Sequence, residues 1–176
     1  MSKSQAMAAV VETLMFERNE WVPNNPRLPV LIYPNAIPVQ DSDPAALFEK
    51  IFSANGWPPQ WRYGIYSYHH YHTEGHEVLG IASGKARLML GGPNGHVLGV
   101  TSGDVLLLPA GTGHCNLESS EDFLVVGAYP PGQHADICRE APTSAQLASI
   151  DTLPLPDQDP VHGSQGAVQR FWANQR

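Results

Sequence analysis

The chain is short of cysteine, of charge and of long apolar runs, and each shortage closes off a class of protein. Its 2 cysteines in 176 residues, Cys115 and Cys138, have no Cys-x-x-Cys spacing. They form neither a disulfide framework nor a cysteine zinc site, and both read as reduced thiols. Charged residues make up 15 %, well under the usual ~25 %, which argues against a charged helical bundle. With only 10 Lys and Arg and a formal net charge of −7, there is no basic footprint for a phosphate backbone, so no nucleic-acid partner is expected. The longest early apolar run, residues 6–11, stops at Glu12. That is shorter than the ~7–15 residues of a secretory core and far below the ~18 of a membrane span, so no membrane partner and a cytoplasmic location are expected.

What the chain does have is 42 % hydrophobic residues, 16 glycines and 16 prolines, the composition of many turns and short strands around one apolar core. The length suits a single domain over 1–176. It divides into an arm and helix at 1–60, a strand-rich core at 61–130 and a tail at 131–176. In the arm, the apolar stretches 10–16 and 29–33 are separated by Pro23-Asn24-Asn25-Pro26 and read as short strands with no hairpin partner nearby in sequence. Asp41-Ser42-Asp43-Pro44 opens a helix over 44–55, with Ala46, Leu47, Ile51 and Phe52 at helical spacing and Gly56 as its stop. Then come β-prone runs at 63–71, 77–82, 86–90, 96–101, 105–108 and 123–129, punctuated by Gly-rich turns. This is the grammar of an antiparallel sandwich or barrel. The tail is expected to wrap the surface, with a short helix around 144–150.

Four of the eight histidines, His69, His70, His72 and His76, fall within eight residues. On a strand, i and i+2 share a face, so His70 and His72 can converge on one ion while His69 and Tyr71 face away. A turn at Thr73-Glu74-Gly75-His76 would return the chain as a second strand, whose first residue Glu77 can supply a carboxylate across the pair. A His-x-His pair alone is weak, being expected about 0.4 times by chance in a chain with this much histidine. The longer strings are more specific. One runs Gly64, five residues, His70, one residue, His72, four residues, Glu77, six residues, Gly84; the other runs Gly103, five residues, Pro109, one residue, Gly111, two residues, His114.

Those two strings resemble the paired motifs of the cupin superfamily. The resemblance covers about residues 64–116 directly and departs from the usual pattern at Glu118, where the second motif commonly ends in Asn. It implies an all-β fold, a double-stranded β-helix or jelly roll, carrying the arm with its one helix and an extended C-terminal tail. Inside the barrel it implies one divalent transition metal held by His70, His72, Glu77 and His114. Three imidazoles and a carboxylate suit Fe, Ni, Zn, Mn, Co or Cu and leave coordination positions for a small-molecule ligand. The implied function is a small metalloenzyme, an oxygenase or isomerase acting on an oxygen-rich molecule; the alternative is a non-catalytic cupin with a sensing or structural role. A homodimer is expected, both from the unpaired arm strands and from the resemblance.

Other residues have competing readings. Tyr66 and Tyr68 share the parity of His70 and His72, so they line either the pocket beside the metal or the core. Glu74 is a candidate proton donor or acceptor, or an ordinary loop carboxylate. His76 is a turn histidine or a substitute ligand. Arg62 could meet an acidic substrate, though a surface position is its simpler fate, and Trp57 and Trp61 are expected to cover the helix end. His96, His134 and His162 have no matching spacing. Gly111-Thr112-Gly113 serves a bend and lacks the Lys and following helix of a phosphate loop.

Overall fold

The computed structural model describes residues 10–40 and 42–173; the start of the 6–11 run and Asp41 lie outside them. Among the described residues, nine strands form two antiparallel sheets. The larger is ordered β1 (Glu12–Leu14), β2 (Val30–Tyr33), β7 (Val105–Leu108), β4 (Glu77–Ser83), β9 (Leu124–Ala128), β3 (Pro59–Tyr63). The smaller is ordered β6 (His96–Thr101), β5 (Lys85–Leu90), β8 (His114–Ser119). From β4 onward the chain passes large, small, small, large, small, large, which is the winding of a jelly roll.

The near-continuous apolar runs of β2, β4, β7 and β9 have a simple cause: the large sheet is covered on both faces. Val30, Ile32, Leu79, Ile81, Leu106, Leu108 and Val125 point between the sheets and meet Leu88, Leu90 and Val100 of the smaller one. The alternate residues, Leu31, Tyr33, Val78, Ala82, Val105, Leu107, Val126 and Ala128, face outward into a second core. Helix α1 (Pro44–Ala54) covers part of that face. Asp43 accepts from the Ala46 N–H at 3.2 Å, Pro44 opens the first turn, and Ala45, Phe48 and Phe52 form the buried stripe. Gly80 lets the helix close on the sheet, because a Cβ there would lie 2.3 Å from the Phe48 ring. Gly84 and Gly103 take positive φ, 75° and 101°, at the two turns where the spacing requires it.

Three expectations need correction. The arm strands do have partners: β1 pairs β2, and β2 pairs β7, so the arm belongs to the large sheet. The expected strand over 63–71 stops at Tyr63, and only His70 and Tyr71 make isolated bridges beyond it, to His114 and Cys138. The tail does not merely wrap the surface. It forms helix α2 (Ser144–Thr152), capped by a reciprocal Thr143–Gln146 box, and a π-helical turn (Val168–Trp172), and it closes the outer core. Trp172 is fully buried and donates its indole N–H to Pro29 O at 2.9 Å. The equally buried Asp159 carboxylate accepts from the Tyr33 hydroxyl at 2.6 Å and from the Val161, His162 and Val168 N–H groups at 2.8, 2.9 and 3.1 Å. Trp57, also buried in this core, donates to Gln158 O at 2.8 Å.

A tail with this role cannot be altered cheaply. Asp159→Ala leaves four donors without an acceptor, the two from Tyr33 and Val168 buried, and is expected to cost about 3–5 kcal/mol of unfolding free energy; Trp172→Ala should cost a similar ~3–5 kcal/mol. Urea unfolding measures both. Changes within about 0.5 kcal/mol, the usual effect of an exposed substitution, would return the tail to the surface.

Candidate metal centre

The site lies where the first residues of β4 and β8 meet the segment just before β4. His70 and His114 face each other as a reciprocal backbone pair, His70 N–H to His114 O at 3.2 Å and His114 N–H to His70 O at 3.0 Å. Gly111 N–H donates to His72 O at 2.7 Å, and Tyr71 exchanges two 3.0 Å bonds with Cys138. The 70–72 segment is therefore held extended from both sides without a continuous ladder. The i, i+2 relation between His70 and His72 survives for that reason.

Each imidazole is fixed from behind. Nδ1 of His70 lies 3.0 Å from Tyr68 O, Nδ1 of His72 lies 2.6 Å from Asp136 O, and Nδ1 of His114 lies 3.0 Å from Thr112 O. A carbonyl can only accept, so each Nδ1 carries the hydrogen and the Nε2 atoms are left to face inward. His70, His72 and His114 are buried and their ligand atoms lie within 4.8 Å of one another, a group that could hold a metal ion. Glu77, buried on the between-sheet face of β4, sets one oxygen against each of two rings: Oε2 is 3.3 Å from His72 Nε2 and Oε1 is 3.4 Å from His114 Nε2. Despite that approach, His72 Nε2 makes no hydrogen bond. Ring and carboxylate lie side by side unbonded, and three imidazole nitrogens with a carboxylate against two of them are donors that fit a divalent transition metal.

The electrostatics agree with a site built for positive charge. Burial alone would push the Glu77 carboxyl up, but His72 and His114 hold it well below the usual carboxylate range. Burial opposes a proton on His72, and the Glu77 charge outweighs it, so His72 is raised. His70, buried and beside His114, is pushed down to about 2 and stays neutral. Glu77 also receives the Tyr129 hydroxyl on Oε2 at 2.7 Å, and that hydroxyl accepts from the Trp61 indole N–H at 2.7 Å. Burial first, and the Glu77 charge next, keep the Tyr129 phenol protonated far above its usual range.

The centre opens into a cavity of about 490 Å³, whose lining includes Trp61, Tyr66, Glu77, Tyr129 and the three histidines. Of the residues singled out from sequence, Tyr66 lines this cavity. Tyr68 does not; it stacks behind Tyr66, ring centroids 4.9 Å apart. Glu74 stands half exposed outside the lining, 2.6 Å from the cavity residue His134. His76 is fully buried against Trp172, and its Nδ1 accepts the Ala110 N–H at 3.0 Å. It braces the turn that delivers His114 and is not placed as a ligand. Arg62 points away, to Glu49 and Asp43 of the helix region. Trp61 was expected over the helix end and instead reaches the cavity. Sequence reasoning also missed Tyr129 and Asp136. Tyr129 could be found only by knowing that β9 pairs β4 in the register Val78↔Ala128, which sets Tyr129 beside Glu77. Asp136 anchors the ligand loop by accepting from the Thr73 N–H and hydroxyl and the Glu74 N–H; a tail-side loop residue carries no local signal of that. Neither cysteine joins the ligand group.

No family model matches the chain. It is similar to the uncharacterized protein YjlB of Bacillus subtilis (strain 168), 35 % identical over 168 residues that cover 94 % of this chain and 99 % of that one. Among solved structures, one described under the substrate binding mode and a reaction specificity switch in oxalate decarboxylase matches 66 % of this chain at 19 % identity and a TM-score of 0.28. The chain spans 22 % of that protein's length.

The Trp61–Tyr129–Glu77 chain orients the one carboxylate of the centre, and loss of such an outer partner typically weakens metal affinity about 10–100-fold. Tyr129→Phe is expected to weaken Zn(II) binding at least tenfold in a competition titration while the circular dichroism spectrum stays unchanged. Equal affinity in the variant would show that Glu77 needs no such support.

Proposed function

We propose that this chain, which belongs to the family of the Bacillus subtilis protein YjlB, is a cupin-type metalloprotein that binds one divalent transition metal through His70, His72, Glu77 and His114. We further propose that it uses this centre as a small enzyme, of oxygenase or isomerase type, on an oxygen-rich molecule. The observation that carries the reading is the convergence of three carbonyl-anchored imidazoles, two of them set against one buried carboxylate, at the floor of an open cavity. A structural ion gains nothing from a cavity of ligand size, whereas a reacting one needs it. The two sequence motifs and the jelly-roll winding support the wider cupin assignment.

A bound metal would supply Lewis acidity for polarising two ligand oxygens. The chain's own residues do the rest. Backbone carbonyls of Tyr68, Asp136 and Thr112 hold the ring orientations, Glu77 offsets part of the ionic charge, and Tyr129 keeps the carboxylate from rotating. Tyr66 presents its ring to the cavity beside His70, centroids 5.5 Å apart, and is the cavity-lining member of the three candidate catalytic groups Glu74, Tyr66 and Tyr68.

Elemental analysis of purified protein is expected to give close to one transition metal per chain, and His72→Ala or His114→Ala should empty the site; full occupancy in both variants would overturn the ligand set. The two hydrophobic cores make no use of the ion, so chelated protein should stay folded at 25 °C. Adding metal to about 100-fold over its Kd contributes about 2.7 kcal/mol, a rise of about 5–10 °C in Tm, with a smaller rise in Glu77→Gln. Oxygen uptake with Fe(II) and a panel of diols, hydroxyketones and sugar derivatives then separates enzyme from binding protein, since a binding protein turns over none of them.

We also propose a homodimer. The three-residue strand β1 ends the large sheet, with no further strand beside it among the described residues, and such an edge accepts a second chain. Light scattering is expected to give twice the 19.2 kDa of one chain; a 19 kDa species at micromolar concentration would refute pairing.

A further inference from the structure

The wall of the cavity is selective in a way that its floor does not require. Above the histidines and Glu77, the described lining is mostly aromatic and aliphatic, with Trp61, Ile65 and Leu79 inside and Tyr63, Tyr66 and Ile137 at the mouth, and Gln60 and His134 as its neutral-amide and imidazole members. These three mouth residues are exposed by 66, 42 and 46 %, a grouped apolar rim and not a scatter of single side chains. The rings are ordered. Tyr63 lies 6.4 Å from Tyr66, Tyr66 stacks on Tyr68 at 4.9 Å with planes 11° apart, and the Arg139 guanidinium caps Tyr68 at 3.8 Å.

No lysine or arginine lines the cavity among the described residues. Arg62, between the lining residues Trp61 and Tyr63 in sequence, spends its charge on Glu49 and Asp43. Arg139 is taken up by the Tyr68 ring, and the lining His134 sits on Glu74. A divalent ion held with Glu77 would keep one net positive charge. A singly ionised chelate neutralises that charge, whereas a dianion or a phosphate group would bring excess negative charge into an apolar site with no cation to meet it.

We infer that the cavity takes a planar ligand that is neutral in solution, an ortho-diol or α-hydroxyketone on an aromatic or enolic body, with its two adjacent oxygens at the metal centre and its apolar face along Tyr66. Small dicarboxylates and sugar phosphates are turned away. This rests on the proposed metal-binding reading and narrows its oxygen-rich substrate to one class. A cavity of about 490 Å³ also leaves a two-carbon dianion mostly unsupported, while a fused two-ring diol fills more of it.

The test uses the full chain loaded with redox-inert Zn(II), and 2,3-dihydroxynaphthalene as a fluorescent probe at pH 7. Saturable micromolar binding is expected, with affinity at least tenfold lower in Tyr66→Ala and in Ile137→Asp and retained in Tyr66→Phe. Oxalate and glucose 6-phosphate at 100-fold excess should not displace the probe. Circular dichroism and zinc content of each variant verify that the fold and the metal are intact. Displacement by either anion at equal concentration, or unchanged affinity in both Tyr66→Ala and Ile137→Asp, overturns the ligand class. Should wild-type protein hold no zinc, the metal reading fails by that measurement alone. The probe is then titrated into the same metal-free protein, where Tyr66-dependent binding supports the ligand class and absence of binding overturns it.

Discussion

A carboxylate buried on the inner face of a β-sheet must be compensated, and the Glu77 carboxylate lies against the rings of His72 and His114. That requirement organises the whole end of the barrel. Glu77 has the parity of Leu79 and Ile81, which belong to the core between the sheets, so its position on β4 commits a charged group to an apolar interior. Removing one partner of such an arrangement is costly because the other is left buried and unpaired. His72 and His114 face its two oxygens, and Tyr129 takes a further lone pair. Every one of these groups comes from a different element, so the charge ties together β4, β8, the end of β9 and the segment that precedes β4.

The imidazoles can serve that purpose because they cannot turn away. Each uses Nδ1 on a backbone carbonyl, and two of those carbonyls lie two residues from their own histidine, at Tyr68 and Thr112. The third, Asp136, arrives from the loop after β9 while its side chain holds Thr73 and Glu74. That loop thus fixes both the ring of His72 and the backbone behind it. The second core on the far side of the large sheet supplies rigidity. His76, one residue before Glu77, points to that side, where it meets Trp172 and braces the turn carrying His114. The tail is in this sense part of the foundation of the histidine cluster, two steps removed from it.

How much of this could be read from the sequence follows from the range of the interactions. Helix α1, β2 and the strands from 77 onward other than β8 were legible because their signals are local: an Asp cap before Pro44, apolar runs, glycines at forced positive φ; β8 (His114–Ser119) was not among the expected runs, its outer half, Asn116 to Ser119, being mostly polar and exposed. The candidate ligands stood out because His70 and His72 are i and i+2 and the two motif strings single out Glu77 and His114; the structure brings His70, His72 and His114 together, with Glu77 against the last two. The run at 63–71 looked like a strand because Tyr and Ile favour strands, but neighbouring backbone was available only at His70 and Tyr71. Trp61, Tyr129 and Asp136 were missed since each acts on a residue 52 to 68 positions away, and no periodicity reports a contact of that span. The tail failed for the same reason. Asp159 and Trp172 look like surface residues until Tyr33 and Pro29, more than a hundred positions earlier, are brought against them.

The floor and the mouth of the cavity answer to different physics. At the floor, a displaced imidazole would lose its carbonyl and leave a buried donor unpaired, so the floor is stiff and its chemistry fixed. At the mouth, Tyr63, Tyr66 and Ile137 are substantially exposed and support no buried polar group, so a substitution there costs the fold little. Recognition can therefore be changed at the rim without disturbing the centre. The placement of charge follows the same division. The cations closest in sequence to the rim, Arg62 and Arg139, are engaged by Glu49 and by the Tyr68 ring, so the apolar character of the mouth depends on those two pairings as much as on the tyrosines themselves. Releasing either arginine would change the charge at the mouth before it changed how the histidines and Glu77 are held.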